Sequence, residues 1–187
     1  MTSVSEKALA NFCDVIREES NNQNQVIVKT LLYTGIRISE LVNILLEDVD
    51  LKLCQIFIRK GIGDKERIVP FPKSFKKDLK MHVAEMQDRK ATYLFESTWK
   101  GPYTDRGIRK MMSIYSKKAG LEENISPNTL RKFLLSWLKQ QGVEDAMLQP
   151  YSGLISRQSL AKYDVDAPKD TSEVQSSYES IISKLTF

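Results

Sequence analysis

Arg37, in the run Thr34-Gly35-Ile36-Arg37-Ile38-Ser39-Glu40-Leu41, is followed much later in the chain by Leu130-Arg131 and then by Tyr163. Two guanidiniums and a phenol suit attack on a phosphodiester. Each arginine holds nonbridging oxygens through parallel N–H bonds, and a tyrosine oxygen takes the phosphorus covalently. The only histidine, His82, is far in sequence from both arginines, so this chemistry runs without an imidazole in its usual place. His82 reads as a structural or exposed residue. Tyr151 competes with Tyr163 for the nucleophile's role, but its neighbours Pro150 and Ser152 suggest a loop.

The 187 residues carry a net charge of only +4, unevenly spread. Between Lys52 and Lys80 nine lysines and arginines face three carboxylates, and between Arg89 and Lys118 eight face two. Within these stretches Lys65, Arg67, Arg106, Arg109 and Lys110 are the candidate DNA contacts. Beyond Tyr163 the sign reverses, with Asp164, Asp166, Asp170, Glu173 and Glu179 outnumbering Lys169 and Lys184. A basic body with an acidic end fits a polyanion partner and a tail with a separate task. No apolar run is long enough to span a bilayer, and the first residues lack the basic flank and apolar stretch of a secretory signal. Cys13 and Cys54 are too few for a disulfide framework and lack metal-ligand spacing. They read as buried small hydrophobes in a reducing cytoplasm, with no metal expected.

The elements that must position these residues read as mostly helical with one small sheet, within a single domain. Helical apolar spacing covers Ser5 to Glu18 and Gln25 to Tyr33, the second ending at Gly35 as a left-handed cap. A third helix is expected from Ile38 to Leu46, with Leu41, Ile44 and Leu45 inward. Leu53 to Ile58 and Arg67 to Phe71 form a hairpin around Gly61-Ile62-Gly63-Asp64, and Tyr93 to Phe95 suggests a third strand. Helices follow at Phe75 to Gln87, Asp105 to Ala119, Pro127 to Gln140 with Ser126 as its cap, and Val143 to Leu148. In the helix from Pro127, Leu130, Leu134 and Trp137 form the buried stripe. A polar link from Asp164 to Thr171 leads to a last helix near Val174 to Leu185.

This order of parts, with its motifs, resembles the catalytic domain of the tyrosine recombinases, the phage integrase and Xer family. Leu31 to Leu41 resembles the family's first arginine box, and Arg59-Lys60-Gly61-Ile62-Gly63-Asp64-Lys65-Glu66-Arg67-Ile68-Val69-Pro70 its lysine-bearing hairpin. Asn128-Thr129-Leu130-Arg131 falls on the His-x-x-Arg box, Gly153-Leu154 on the Gly-His box, and Tyr163, nine positions after Leu154, on the nucleophile. Boxes in the family's order at matching separations are more specific than any one of them. The separation of Arg131 from Tyr163 fits the family, and that of Tyr151 does not.

The resemblance implies an α+β fold, mostly α-helical with a small antiparallel sheet, acting on duplex DNA by metal-free, cofactor-free transesterification. Residues 1–170 would form the catalytic domain. Residues 171–187 would form a C-terminal helical tail that passes to a neighbouring protomer of a tetrameric assembly on DNA. The family's additional N-terminal DNA-clamping domain is expected to be absent from this chain. Tyr163 would attack the scissile phosphate while Arg37 and Arg131 neutralise the charge growing on it. Lys60, in preference to Lys65 across the same loop, would protonate the leaving 5′ oxygen. Glu40, three residues after Arg37 on one helical face, would orient that guanidinium. Asn128 and Leu154 stand where the family places histidine, and histidine or tryptophan. An amide donates a hydrogen bond but does not titrate near neutrality, and leucine offers no hydrogen bond, so cleavage is expected to be slow. The rival class is a relative that binds DNA without cutting it.

Overall fold

Burial on nearly every side marks the second helix as the centre of the molecule. In the computed structural model, which describes residues 4–59 and 66–153, α1 (Glu6–Glu19) and α2 (Asn22–Thr34) lead into a short α3 (Ile38–Leu41). From Val26 to Thr34 only Lys29 of α2 escapes burial. The hydroxyls of Thr30 and Thr34 within that apolar surround donate to the carbonyls of Val26 and Thr30, four residues back, so neither is left unsatisfied. Gly35 ends α2 at φ +60°, as its composition predicts.

Three antiparallel strands follow in the order β1 (Val49–Asp50), β2 (Gln55–Ile58), β3 (Arg67–Pro70). The register sets Ile56 opposite Val69 and Ile58 opposite Arg67. Side chains alternate across a strand, so Arg67 and Val69 share the face of the buried Ile56 and Ile58, while Ile68 points the other way and is half exposed. An arginine on the covered face needs a partner there.

The remaining helices are α4 (Lys76–Asp88), α5 (Asp105–Lys118), α6 (Pro127–Gln140) and α7 (Asp145–Ser152). α6 packs on α2, and α7 packs on both α6 and β3. Ser126 caps α6 by accepting from the Thr129 N–H, and Leu130, Leu134 and Trp137 point into the core as the spacing predicts. Cys13 and Cys54 are both buried, and burial pushes the Cys13 thiol up to about 12.

Four expectations need correction. The third helix stops at Leu41, because the Ile44 carbonyl and the Leu46 N–H pair with Leu94 and Thr92 and pull this stretch out of helical geometry. Tyr93 to Phe95 does not join the sheet. Tyr93 bridges Leu45, and the third strand is the two-residue Val49–Asp50. The last described helix begins at Asp145, not Val143, and runs past Leu148 to Ser152, which puts Tyr151 in a helix, buried, not in a loop. Lys60, Lys65, Leu154, Tyr163, the polar link and the final helix lie outside the described residues.

Gly35→Ala tests how tightly the turn is built. Its Cβ would meet Leu134 Cδ2 at 3.0 Å, and the left-handed backbone costs an L-residue about 1–2 kcal/mol. Thermal denaturation should show a midpoint several degrees lower; an unchanged midpoint would show that the turn relaxes freely.

Candidate active site

Three arginines converge on the C-terminal end of α7. The turn at Gly35 aims the chain so that Arg37, in extended conformation, caps α3. Its Nη2 donates to the Ser152 carbonyl at 3.3 Å. Arg131, one turn into α6 from Asn128, donates from Nη2 to the same oxygen at 2.5 Å, and from Nη1 to the carbonyls of Tyr151 at 3.2 Å and Gly35. A single carbonyl therefore gathers two guanidiniums that are far apart in sequence.

The third arginine is Arg67. Its Nη1 and Nη2 donate to Glu40 Oε1 and Oε2 at 2.7 and 2.8 Å, the parallel fork that guanidinium and carboxylate geometry favour. Glu40 Oε2 also accepts the Arg37 backbone N–H at 2.8 Å, while its contact with Arg37 Nη1 is long at 3.4 Å. Glu40 does contact Arg37, as the sequence suggests, but its principal side-chain partner is Arg67. Burial alone would raise the Glu40 carboxyl; hydrogen bonds from Arg67 and the Arg37 backbone, together with both cationic charges, outweigh it and hold the group below its ordinary value of 4.5. The stabilisation from this carboxylate is complete above that value and is lost as pH falls through the lowered one.

Gly153 closes the cluster at φ +57°, capping α7. A Cβ there would lie 3.1 Å from Arg67 Cζ and 3.3 Å from Arg37 Nη1, so glycine serves both the turn and the close approach of the two cations. The Arg37 side chain is 26% exposed, whereas Arg131 is only 4% exposed. Arg37 is thus partly open to solvent, while Arg131 is buried against the same carbonyl, with its charge only partly screened by solvent.

Asn128 is exposed at the start of α6, three residues before Arg131 and so on a neighbouring part of that helix surface. Arg106, Arg109 and Lys110 are exposed on α5, with Arg109 paired to Asp105, and do not belong to the arginine cluster. Arg59, the residue before Lys60, is held by Asp48 at 2.7 Å and Glu47 at 2.6 Å. His82 is fully buried; its Nε2 donates to the Leu94 carbonyl at 2.8 Å and its ring stacks on Phe95. Burial lowers its basicity, and its place against the loop from Thr92 to Glu96 is a packing role. Sequence reasoning missed the contribution of the Ser152 backbone carbonyl. No side-chain signal marks it, although Gly153 as a helix cap hints at the turn.

The described residues contain no group of three or more histidines, cysteines or carboxylates arranged to hold a metal, and no helix among them is long and apolar enough to cross a membrane. The arrangement concentrates cationic charge and fixed N–H donors around one point with a single carboxylate, which suits a phosphodiester.

The profile of the phage integrase family matches residues 1–169. Tyrosine recombinase XerC of Staphylococcus epidermidis is 30% identical over 144 residues, covering 75% of this chain and 48% of that protein. Tyrosine recombinase XerA of Thermococcus kodakarensis is 30% identical over 152 residues, covering 79% and 53%. The chain spans about half the length of the curated relatives it matches. Among solved structures, that of XerA recombinase superposes with a TM-score of 0.79 at 27% identity, over 87% of this chain and 60% of that one. An integrase of transposon Tn1549, solved with circular intermediate DNA, shares the fold at a TM-score of 0.73 and 20% identity, over 91% and 62%.

Proposed function

The chain belongs to the phage integrase family, the tyrosine recombinases, and from that premise we propose that it performs site-specific recombination of duplex DNA through a 3′-phosphotyrosyl intermediate. The observation that carries this reading is the shared Ser152 carbonyl, which draws Arg37 and Arg131 onto one point. The scissile phosphate sits against Arg37, with Arg131 behind it. The Tyr163 oxygen attacks phosphorus, the bond to the 5′ oxygen breaks, and that oxygen leaves as a hydroxyl with a proton from Lys60. A 5′ hydroxyl of a partner strand then attacks the phosphotyrosyl bond, restoring the tyrosine and joining new ends. Bond energy is conserved throughout, so the reaction needs no nucleotide cofactor.

With no imidazole at Asn128, the tyrosine proton passes to water under the field of the arginines, which favours the phenolate. Asn128 contributes an amide hydrogen bond to a nonbridging oxygen, and Leu154 contributes none, which makes the enzyme slow. Lys65 and the exposed Arg106, Arg109 and Lys110 hold the flanking backbone, and four protomers assemble on DNA in the cytoplasm through the C-terminal tail.

A nicked duplex carrying the recombination site tests the reading, since it traps the covalent intermediate. Wild type should form an adduct slowly, with no change in rate across pH 6 to 7. Asn128→His should accelerate it by about 10²-fold and introduce a titration in that range. If wild type forms no adduct and Asn128→His with Leu154→His does, the protein is a DNA-binding relative without cleavage activity. Faster cleavage by wild type than by the histidine variants would show that Asn128 is no deficit.

A further inference from the structure

We propose that Arg67 is a positioning residue for Arg37, acting through Glu40 and Gly153, and not a contact to DNA. The inference rests on the recombinase reading of the site. Arg67 lies on the covered face of β3, opposite Ile58, and its side chain is only 13% exposed. Its fork holds both oxygens of a carboxylate that is itself 2% exposed. A lysine in the same place offers a point charge and no fork.

Holding Glu40 has consequences at Arg37. One Glu40 oxygen fixes the Arg37 backbone N–H, and because Arg67 occupies the carboxylate, Arg37 keeps only the long contact at 3.4 Å. The Arg37 guanidinium is thereby placed without being neutralised, and remains able to grip a phosphate. The Arg67 guanidinium also lies 3.1 Å from where a Gly153 Cβ would stand, and Arg37 Nη1 lies 3.3 Å from the same point, so the glycine leaves room for both cations beside the Ser152 carbonyl. Glu40 faces Arg37 from the α3 cap and Arg67 from β3. Arg59 and Tyr93 line the same cavity of about 350 Å³ as Glu40.

Arg67→Gln separates positioning from DNA contact when cleavage is measured at saturating DNA. The rate should fall by about 10- to 100-fold, as for a functional group displaced by an ångström, with DNA affinity and its salt slope unchanged. Without its main partner, Glu40 stays buried and protonates at higher pH, so the acid limb of the cleavage profile should move upward. Arg67→Lys should recover part of the rate, and adding Glu40→Gln to Arg67→Gln should cost little more, because both act through one link. A weaker affinity with a salt slope smaller by about one and an unchanged saturating rate would make Arg67 a phosphate contact and overturn the proposal. A rate loss with an unmoved acid limb would leave Arg67 a purely structural residue, which also overturns it. If wild type itself forms no adduct, the recombinase reading fails separately. The positioning claim is then read from the Arg37 Nε–H resonance, which should shift in Arg67→Gln at neutral pH; an unshifted resonance rejects it.

Discussion

Arg131→Ala should cost the protein both cleavage and stability, whereas Arg37→Ala should cost cleavage with little loss of stability. Arg131 is almost wholly buried and supplies donors to the carbonyls of Gly35, Tyr151 and Ser152. Truncation removes these donors from the Gly35 and Tyr151 carbonyls, each at a cost of about 1–3 kcal/mol where water does not enter, and leaves the Ser152 carbonyl with only the longer bond from Arg37. A total near 3 kcal/mol lowers the melting temperature of a domain this size by about 6–12 °C. Arg37 is more exposed and is anchored to Ser152 by one longer bond, so its removal opens no buried gap of that kind. Both variants lose a cation aimed at the developing charge, a loss of about 10²–10³-fold by analogy with an oxyanion donor. Circular dichroism melts and single-turnover cleavage separate the two effects. Equal melting temperatures for the two variants would mean that Arg131 does not hold the α7 turn.

Tyr163→Phe should eliminate the covalent adduct entirely while leaving DNA binding intact. Phenylalanine keeps the ring and removes only the oxygen that forms the bond to phosphorus, so no slower version of the same step remains. Electrophoresis under denaturing conditions reads the adduct, and a mobility shift under native conditions reads the binding. Normal adduct formation by the variant would reassign the nucleophile. Tyr151 is a poor substitute, because it is 3% exposed within α7 and its carbonyl is held by Arg131.

The parts legible in the sequence are those whose signals are local. Ser126 and Pro127 mark the start of α6, and Gly35 marks the end of α2, because capping and left-handed turns depend on the residues themselves. The family, the fold class and the two central arginines follow from boxes at characteristic separations. The segment from Ile38 to Leu46 misleads because its apolar spacing is helical, while its backbone is claimed by Thr92 and Leu94 about fifty residues away. No local pattern encodes such a pairing. β1 has two residues, too few to show a period.

Arg67 is the most instructive case. In sequence it is one more basic residue in a basic stretch. Only the register with β2 reveals that it faces inward, and only the fold brings Glu40 to meet it. The burial of Arg131 was hidden for the same reason. A guanidinium ending on three backbone carbonyls leaves no trace in the identities of the residues that supply them.

In the proposed mechanism Arg37 and Arg131 form a single phosphate grip serving Tyr163. Peptide mapping by mass spectrometry of the wild-type adduct, trapped on a nicked duplex containing the cognate site, tests it most directly. Nucleotide should be attached to the peptide that carries Tyr163, and that peptide should form about 10²–10³-fold more slowly in Arg37→Ala and Arg131→Ala. Nucleotide on the peptide carrying Tyr151, or an undiminished Tyr163 adduct in either arginine variant, would contradict it.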